Sequence, residues 1–192
     1  MLKLLSINKN KEINENIINL DFAFNFNNPV FNIIGTKNDE IVAIFCYNNH
    51  YLKFIDINNK NSKMTFENIS IIGINSLCLF QNKFLIIGGS YMITVINIFN
   101  YTKEIIDTNS WKIYSIINFF SKEKYILYAD DDSNIYIWEL IIGENSEVNL
   151  KKISHYNLCG SSSIFSSIFD EKNKLLITGG SHSNVNLLKY FP

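Results

Sequence analysis

YILYADDDSNIYIWEL, residues 125–140, reads as two strands joined by an acidic turn. Ile126, Leu127 and Tyr128 climb into Asp130-Asp131-Asp132-Ser133, and Ile135 to Leu140 return. Runs of β-branched and aromatic residues bounded by a polar turn are a hairpin signal. The returning strand recurs along the chain as MLKLLSI (1–7), YLKFIDI (51–57), MITVINI (92–98), NIYIWEL (134–140) and NVNLLKY (184–190). The position of Trp138 is taken in turn by Leu5, Ile55, Ile96 and Leu188, so successive copies lie 50, 41, 42 and 50 residues apart. The climbing strand recurs as EIVAIF (40–45), KFLIIGG (83–89), KYILYAD (124–130) and KLLITGG (174–180). A strand before it recurs as VFNIIG (30–35), INSLCLF (74–80), IYSIINFF (113–120) and SIFSSIFD (163–170). A looser fourth segment follows each hairpin, such as KMTFENIS (63–70) or SEVNLKKIS (146–154). Ala is scarce, helical i, i+3, i+4 stripes are hard to find, and apolar positions often alternate, so the chain reads as all-β. Self-similarity at a fixed period marks a repeat architecture.

The spacing inside the central hairpin resembles a WD-repeat blade. In that family the hairpin runs roughly Gly-Ser-x-Asp-x-Thr-Ile-x-x-Trp-Asp. Here Asp132 falls on the Asp, Ile135 on the Ile, Trp138 on the Trp and Glu139 on the closing acid. The segments at 30–35, 74–80, 113–120 and 163–170 resemble the family's Val-x-Ser-Leu-x-Phe strand. The chain departs from the pattern in several places. The turn Asp becomes Asn49 in the first full repeat and His182 in the last, the second repeat's turn is two residues shorter, and Ser154-His155 only approximates the family's Gly-His. The Asp-His-Ser-Trp network of a typical blade is therefore incomplete in every repeat.

The resemblance implies a β-propeller of four-stranded antiparallel blades, about four of them, spread over residues 1–192 as one segment. The expected parts are a partial blade at 1–24, blades at about 30–70, 74–107 and 113–153, and a last blade at 163–192. Counted this way the chain begins and ends at a third strand, so an incomplete or open ring is expected. Upstream sequence or another chain would then cover the unpaired edges. The alternative is that residues 16–24 supply the last blade's fourth strand and close a small ring. Trp138, Ile55, Ile96 and Leu188 should be equivalent and buried between blades.

The chain's 192 residues suffice for a proper core in one domain. Its net charge is −1 and its 17 basic residues are all Lys. Arg supplies the planar fork for guanines and phosphates, so direct DNA binding is not expected. Cys46, Cys78 and Cys159 are sparse and lack a CxxC pair, which points to reduced thiols and an intracellular setting, cytoplasmic or nuclear. The N-terminus has no signal-peptide core, and no apolar run approaches a membrane span. The matches to the glycosylation sequon, Asn68-Ile69-Ser70 and Asn100-Tyr101-Thr102, carry no meaning without secretion.

Catalytic constellations do not emerge. Three adjacent carboxylates, Asp130 to Asp132, could attract a cation or a basic peptide, but the alternating ligands, Gly and distant Glu of a calcium loop are missing. The simpler reading is that Asp132 braces its own turn while Asp130 and Asp131 are solvated. His50, His155 and His182 lack zinc spacing. Ser90 and Ser181 each follow Gly-Gly, but no second Gly completes a nucleophile elbow and a strand follows. The Gly pairs instead suit close approach of strands. No phosphate-cradling glycine motif occurs, and neither cofactor nor metal is expected.

Trp111 either packs inward between blades or stands out as an interface anchor, a role in which Trp and Tyr are enriched. In WD propellers the hairpin turns and the inter-blade links open onto one face. That face would gather Asn48, Asn49 and His50 from the first turn, and Tyr91 from the second. Trp111 would come from a link, Asp130 and Asp131 from the third turn, and Tyr156 and His182 from farther on. The resemblance implies a non-catalytic protein–protein interaction scaffold, a subunit of a larger intracellular assembly with protein or peptide partners; the face's aromatics, carboxylates and amides suit a polar peptide or loop carrying Lys or Arg. The alternatives are a propeller-type enzyme with a site on the central axis, and an RNA-associated propeller subunit.

Overall fold

The computed structural model describes residues 2–6, 19–24, 30–35, 41–46, 51–56, 61–66, 74–119, 124–143, 147–158, 163–181 and 185–189. Every regular element among them is a strand, and the chain divides into two compact units, Met1–Glu67 and Asn68–Pro192.

The first unit holds two sheets. Strands β1 (Leu2–Ser6) and β2 (Asn19–Phe24) pair antiparallel. Strands β3 (Val30–Gly35), β4 (Ile41–Cys46), β5 (Tyr51–Asp56) and β6 (Asn61–Phe66) form a four-stranded antiparallel meander in chain order. Leu52, Phe54 and Ile55 of β5 are buried, and Phe54 meets Phe66 edge to face at 6.0 Å.

The second unit repeats the meander. Strands β7 (Ile74–Phe80), β8 (Phe84–Gly89), β9 (Met92–Asn97) and β10 (Lys103–Asp107) make one sheet. Strands β11 (Ile113–Phe119), β12 (Tyr125–Asp130), β13 (Asn134–Ile142) and β14 (Val148–Asn157) make the next. Strands β15 (Ile164–Asp170), β16 (Leu175–Gly180) and β17 (Val185–Lys189) make a three-stranded last sheet.

Register shows that these are copies of one unit. The first two strands of all four meanders share one irregularity, at Val30/Asn32, Ile74/Ser76, Ile113/Ser115 and Ile164/Ser166. A bulge inserts an unpaired residue and increases local twist, so each sheet bends at the same place. A second irregularity falls at Leu4/Leu5, Phe54/Ile55 and Ile137/Trp138, on the positions aligned from sequence.

Cores lie between successive sheets of the second unit. Cys78, Phe80, Phe84, Ile86 and Val95 pack with Ile116, Ile126, Tyr128 and Leu140. The opposite face of the same middle sheet, Leu127, Ala129, Ile135 and Ile137, packs with Ile164 and Leu176. Strand β12 is thus buried on both sides, which is why YILYA reads as a continuous apolar run without alternation. Ile126 and Leu127, fully buried, each contribute roughly 1.5–3 kcal/mol. The outermost strand β10 is mostly exposed, which accounts for the looseness of the fourth segment in the sequence.

Two expectations need correction. Ile55 and Ile96 are buried as expected, but Trp138 and Leu188 are only half-buried, because each packs against the margin of its inter-sheet core. The indole Nε1 of Trp138 is shielded from solvent without a well-formed hydrogen bond, although its ring stacks on Tyr128 with centroids 6.1 Å apart. The turn brace falls on Asp130, two residues before the Asp expected from the family pattern.

Candidate functional site

Asp130 is 1% exposed, at the end of β12. Its Oδ1 accepts the backbone N–H groups of Asp132 at 3.0 Å and Asn134 at 2.9 Å, and its Oδ2 accepts the Asn134 side-chain amide at 3.2 Å. Ser110, from the link between β10 and β11, donates its hydroxyl to Asp130 Oδ2 at 3.0 Å. That leaves the Ser110 oxygen to accept from the Tyr128 hydroxyl, 3.3 Å away. Burial pushes the Tyr128 phenol well above its ordinary range. An Asp130–Ser110–Tyr128 network therefore ties the link before β11 to the β12–β13 turn. Sequence missed it because Ser110 lies 20 residues from its partner. Asp130, expected to be solvated and to face a partner, is an internal brace. Asp131 is half-buried and its Oδ1 accepts the Lys112 N–H at 3.3 Å, while Asp132 is exposed.

Similar bonds join the turns and links into a rim at one end of the second unit. Tyr91, in the β8–β9 turn, donates its N–H to Ser110 O at 3.0 Å and accepts the Thr108 N–H at 2.6 Å. Leu158 N–H donates to Ser133 O at 3.0 Å. The Asn157 amide donates to Asn134 Oδ1 at 2.8 Å, and the Ser163 hydroxyl donates to Asp131 O at 3.3 Å. Ser181 N–H donates to Ser163 O at 3.0 Å, which brings in the turn after β16.

Tyr91 has φ 61, as does Ser133, its register equivalent in the next sheet. A side chain in this left-handed region is uncommon. Ser133 is buried, whereas Tyr91 is 47% exposed and stacks on Trp111, itself 56% exposed, with centroids 6.4 Å apart and planes 13° from parallel. Trp111 therefore faces outward. Tyr156, exposed near the end of β14, reaches the same end of the sheet; it lies on a strand that extends past residue 153. The rim thus brings together Tyr91, Trp111, Asp131 and Tyr156. Asn48, Asn49, His50 and His182 lie outside the described residues.

Among the described residues no group of three or more His, Cys, Asp or Glu could hold a metal ion. His155 instead stacks on Tyr136, with centroids 5.4 Å apart, and Lys152 sits over the same ring at 4.5 Å. No helix among the described residues is long and apolar enough to cross a membrane.

No protein-family model matches the sequence, and no curated protein matches it. Solved structures do match. A chain in the crystal structure of the Mitotic Checkpoint Complex superposes with a TM-score of 0.70 at 18% identity, over 85% of this chain and 51% of that one. The structure of U3-55K superposes with a TM-score of 0.71 at 9% identity, over 87% of this chain and 50% of that one. At such identities the likeness concerns the fold: an all-β propeller architecture of four-stranded antiparallel blades. The chain spans about half the length of these solved chains.

Proposed function

We propose that residues 1–192 form one propeller segment that serves as a non-catalytic scaffold, binding protein or peptide partners within a larger intracellular assembly. The observation that carries this is the exposed Tyr91–Trp111 pair on a hydrogen-bonded rim. Both rings leave about half of their surface to water, and paired exposed aromatics are typical binding anchors. Asp131 and Tyr156 extend the same face, with Asp130 shaping it from within; Asn48, Asn49, His50 and His182 are proposed to continue it. A further segment or another chain completes the propeller. The two-stranded β1–β2 sheet, the three-stranded last sheet and the half-length match to solved propellers support that reading.

The test is affinity capture from native extract with the wild-type chain, Trp111→Ala, and a doubly neutralised Asp131→Asn, Asp132→Asn variant. Partners should be lost from both variants while circular dichroism stays unchanged. Folded variants that keep every partner, set against losses from changes at the opposite strand ends, would place the binding surface elsewhere.

A further inference from the structure

The rim's aromatic pair carries a more specific message about what it binds. Ser133 shows that the turn position before the third strand is filled adequately by a small, buried residue at φ 61. Tyr91 holds the same backbone conformation with a large exposed ring. Neither the turn nor the core requires that ring. Its backbone N–H and C=O are fixed by Ser110 and Thr108, the residues that lead into Trp111, so both rings are positioned before any ligand arrives. The two rings stack with planes 13° apart and each stays about half exposed, and an exposed aromatic face attracts a cation.

Carboxylates outnumber cations in the link and the adjoining turns, three Asp to one Lys. Asp107 ends β10 beside the link, Asp131 meets the backbone of Lys112, and Asp132 is exposed in the adjoining turn. Lys112 is the one basic residue within the link and the adjoining turns. None of the 192 residues is Arg, so no side chain among them can fill an arginine-selective surface. We propose that the Tyr91–Trp111 pair receives an arginine side chain from an extended basic segment of a partner protein, with the Asp107, Asp131 and Asp132 carboxylates attracting it. The guanidinium is planar and weakly hydrated, so it stacks on aromatic faces better than an ammonium does. This rests on the rim being the binding face.

The experiment measures fluorescence anisotropy of labelled Gly/Ser peptides carrying Arg, Lys, Gln or Glu at the same spaced positions, titrated with the full chain. The Arg peptide should bind roughly tenfold tighter than the Gln peptide, with Lys between them and Glu weakest. The Arg preference should weaken with added salt. It should vanish in Trp111→Ala and in Tyr91→Gly. The second variant suits the positive φ and is expected to stay folded. Equal binding of Arg and Glu peptides, or an Arg preference that survives in both folded variants, overturns the proposal. If extract partners depend on Trp111 while the Arg and Glu peptides bind alike, the proposal falls and the rim reading stands.

Discussion

Cys78 shows how burial sets chemistry at a single position. Its thiol lies in the core between two sheets and donates to Asn118 Oδ1 at 3.2 Å. Burial pushes the thiol up to about 12 from its ordinary value of 9.0. The folded chain therefore keeps a proton that the unfolded chain releases in alkali. This contribution is fully present below about pH 9 and is lost as pH rises toward 12. Tyr128, also pushed up by burial, adds the same sign at higher pH. Urea midpoints should hold steady to about pH 8.5 and then fall, by on the order of 2 kcal/mol at pH 10.5 for the thiol alone. Cys78→Ala should flatten the first part of that fall; an equally steep decline in the variant would assign the titration to another group. Sequence composition could flag an unpaired cysteine but not its burial. The same limit applies to the acidic turn. Three consecutive Asp residues are visible in the sequence, yet which one braces the turn depends on Ser110 and on a left-handed Ser133.

At the scale of the element, strand identity was legible and strand contact was not. Period and apolar runs located the meanders because each strand's composition reflects its burial: β8 and β12 almost wholly apolar, β10 polar. The bulged residue itself is not specified by type, since Asn75 and Tyr114 occupy equivalent positions, but the recurring Ile-x-Ser at 74–76, 113–115 and 164–166 flanks it. Gly88 and Gly179 also occupy equivalent positions, opposite Ser76 and Ser166, yet their surroundings differ. A Cβ at Gly88 would collide with Ser76 Oγ and approach Ile113 Cγ2 of the next sheet to 2.7 Å, where Ser76 donates to Ile113 O at 3.3 Å. A Cβ at Gly179 would meet no heavy atom within 4 Å. Gly88→Ala should therefore cost about 1–3 kcal/mol by overpacking, and Gly179→Ala no more than about 0.5 kcal/mol. Equal urea midpoints for the two variants would mean that the sheets do not pack as closely as the Ser76–Ile113 contact requires.

For the whole molecule, the last sheet of the second unit decides how the chain behaves in solution. One of its faces packs Ile164 and Leu176 into the inter-sheet core. On the other face Ile168, Ile177 and Leu187 lie in one cross-strand row, with Ile168 63% and Leu187 64% exposed, and Val185 beside them at 68%. Strand β17 pairs with β16 and is the edge of that sheet. The sequence suggested such an edge, because its count of repeats stopped at a third strand. The apolar row was not legible, since NVNLLKY alternates like its buried counterparts and only the packing shows which side is bare. An apolar sheet face beside a strand that has one ladder neighbour among the described residues favours association. The wild-type chain should therefore show an apparent mass that rises with concentration in light scattering. Ile168→Lys with Leu187→Lys should return it to a monomer, since like charges placed one residue pair apart on an exposed face oppose stacking. Because both positions are solvent-exposed, the urea midpoint should shift by no more than about 0.5 kcal/mol. If the double variant associates as strongly as the wild type, the contact lies on another surface; if it unfolds, this face is buried in the working molecule.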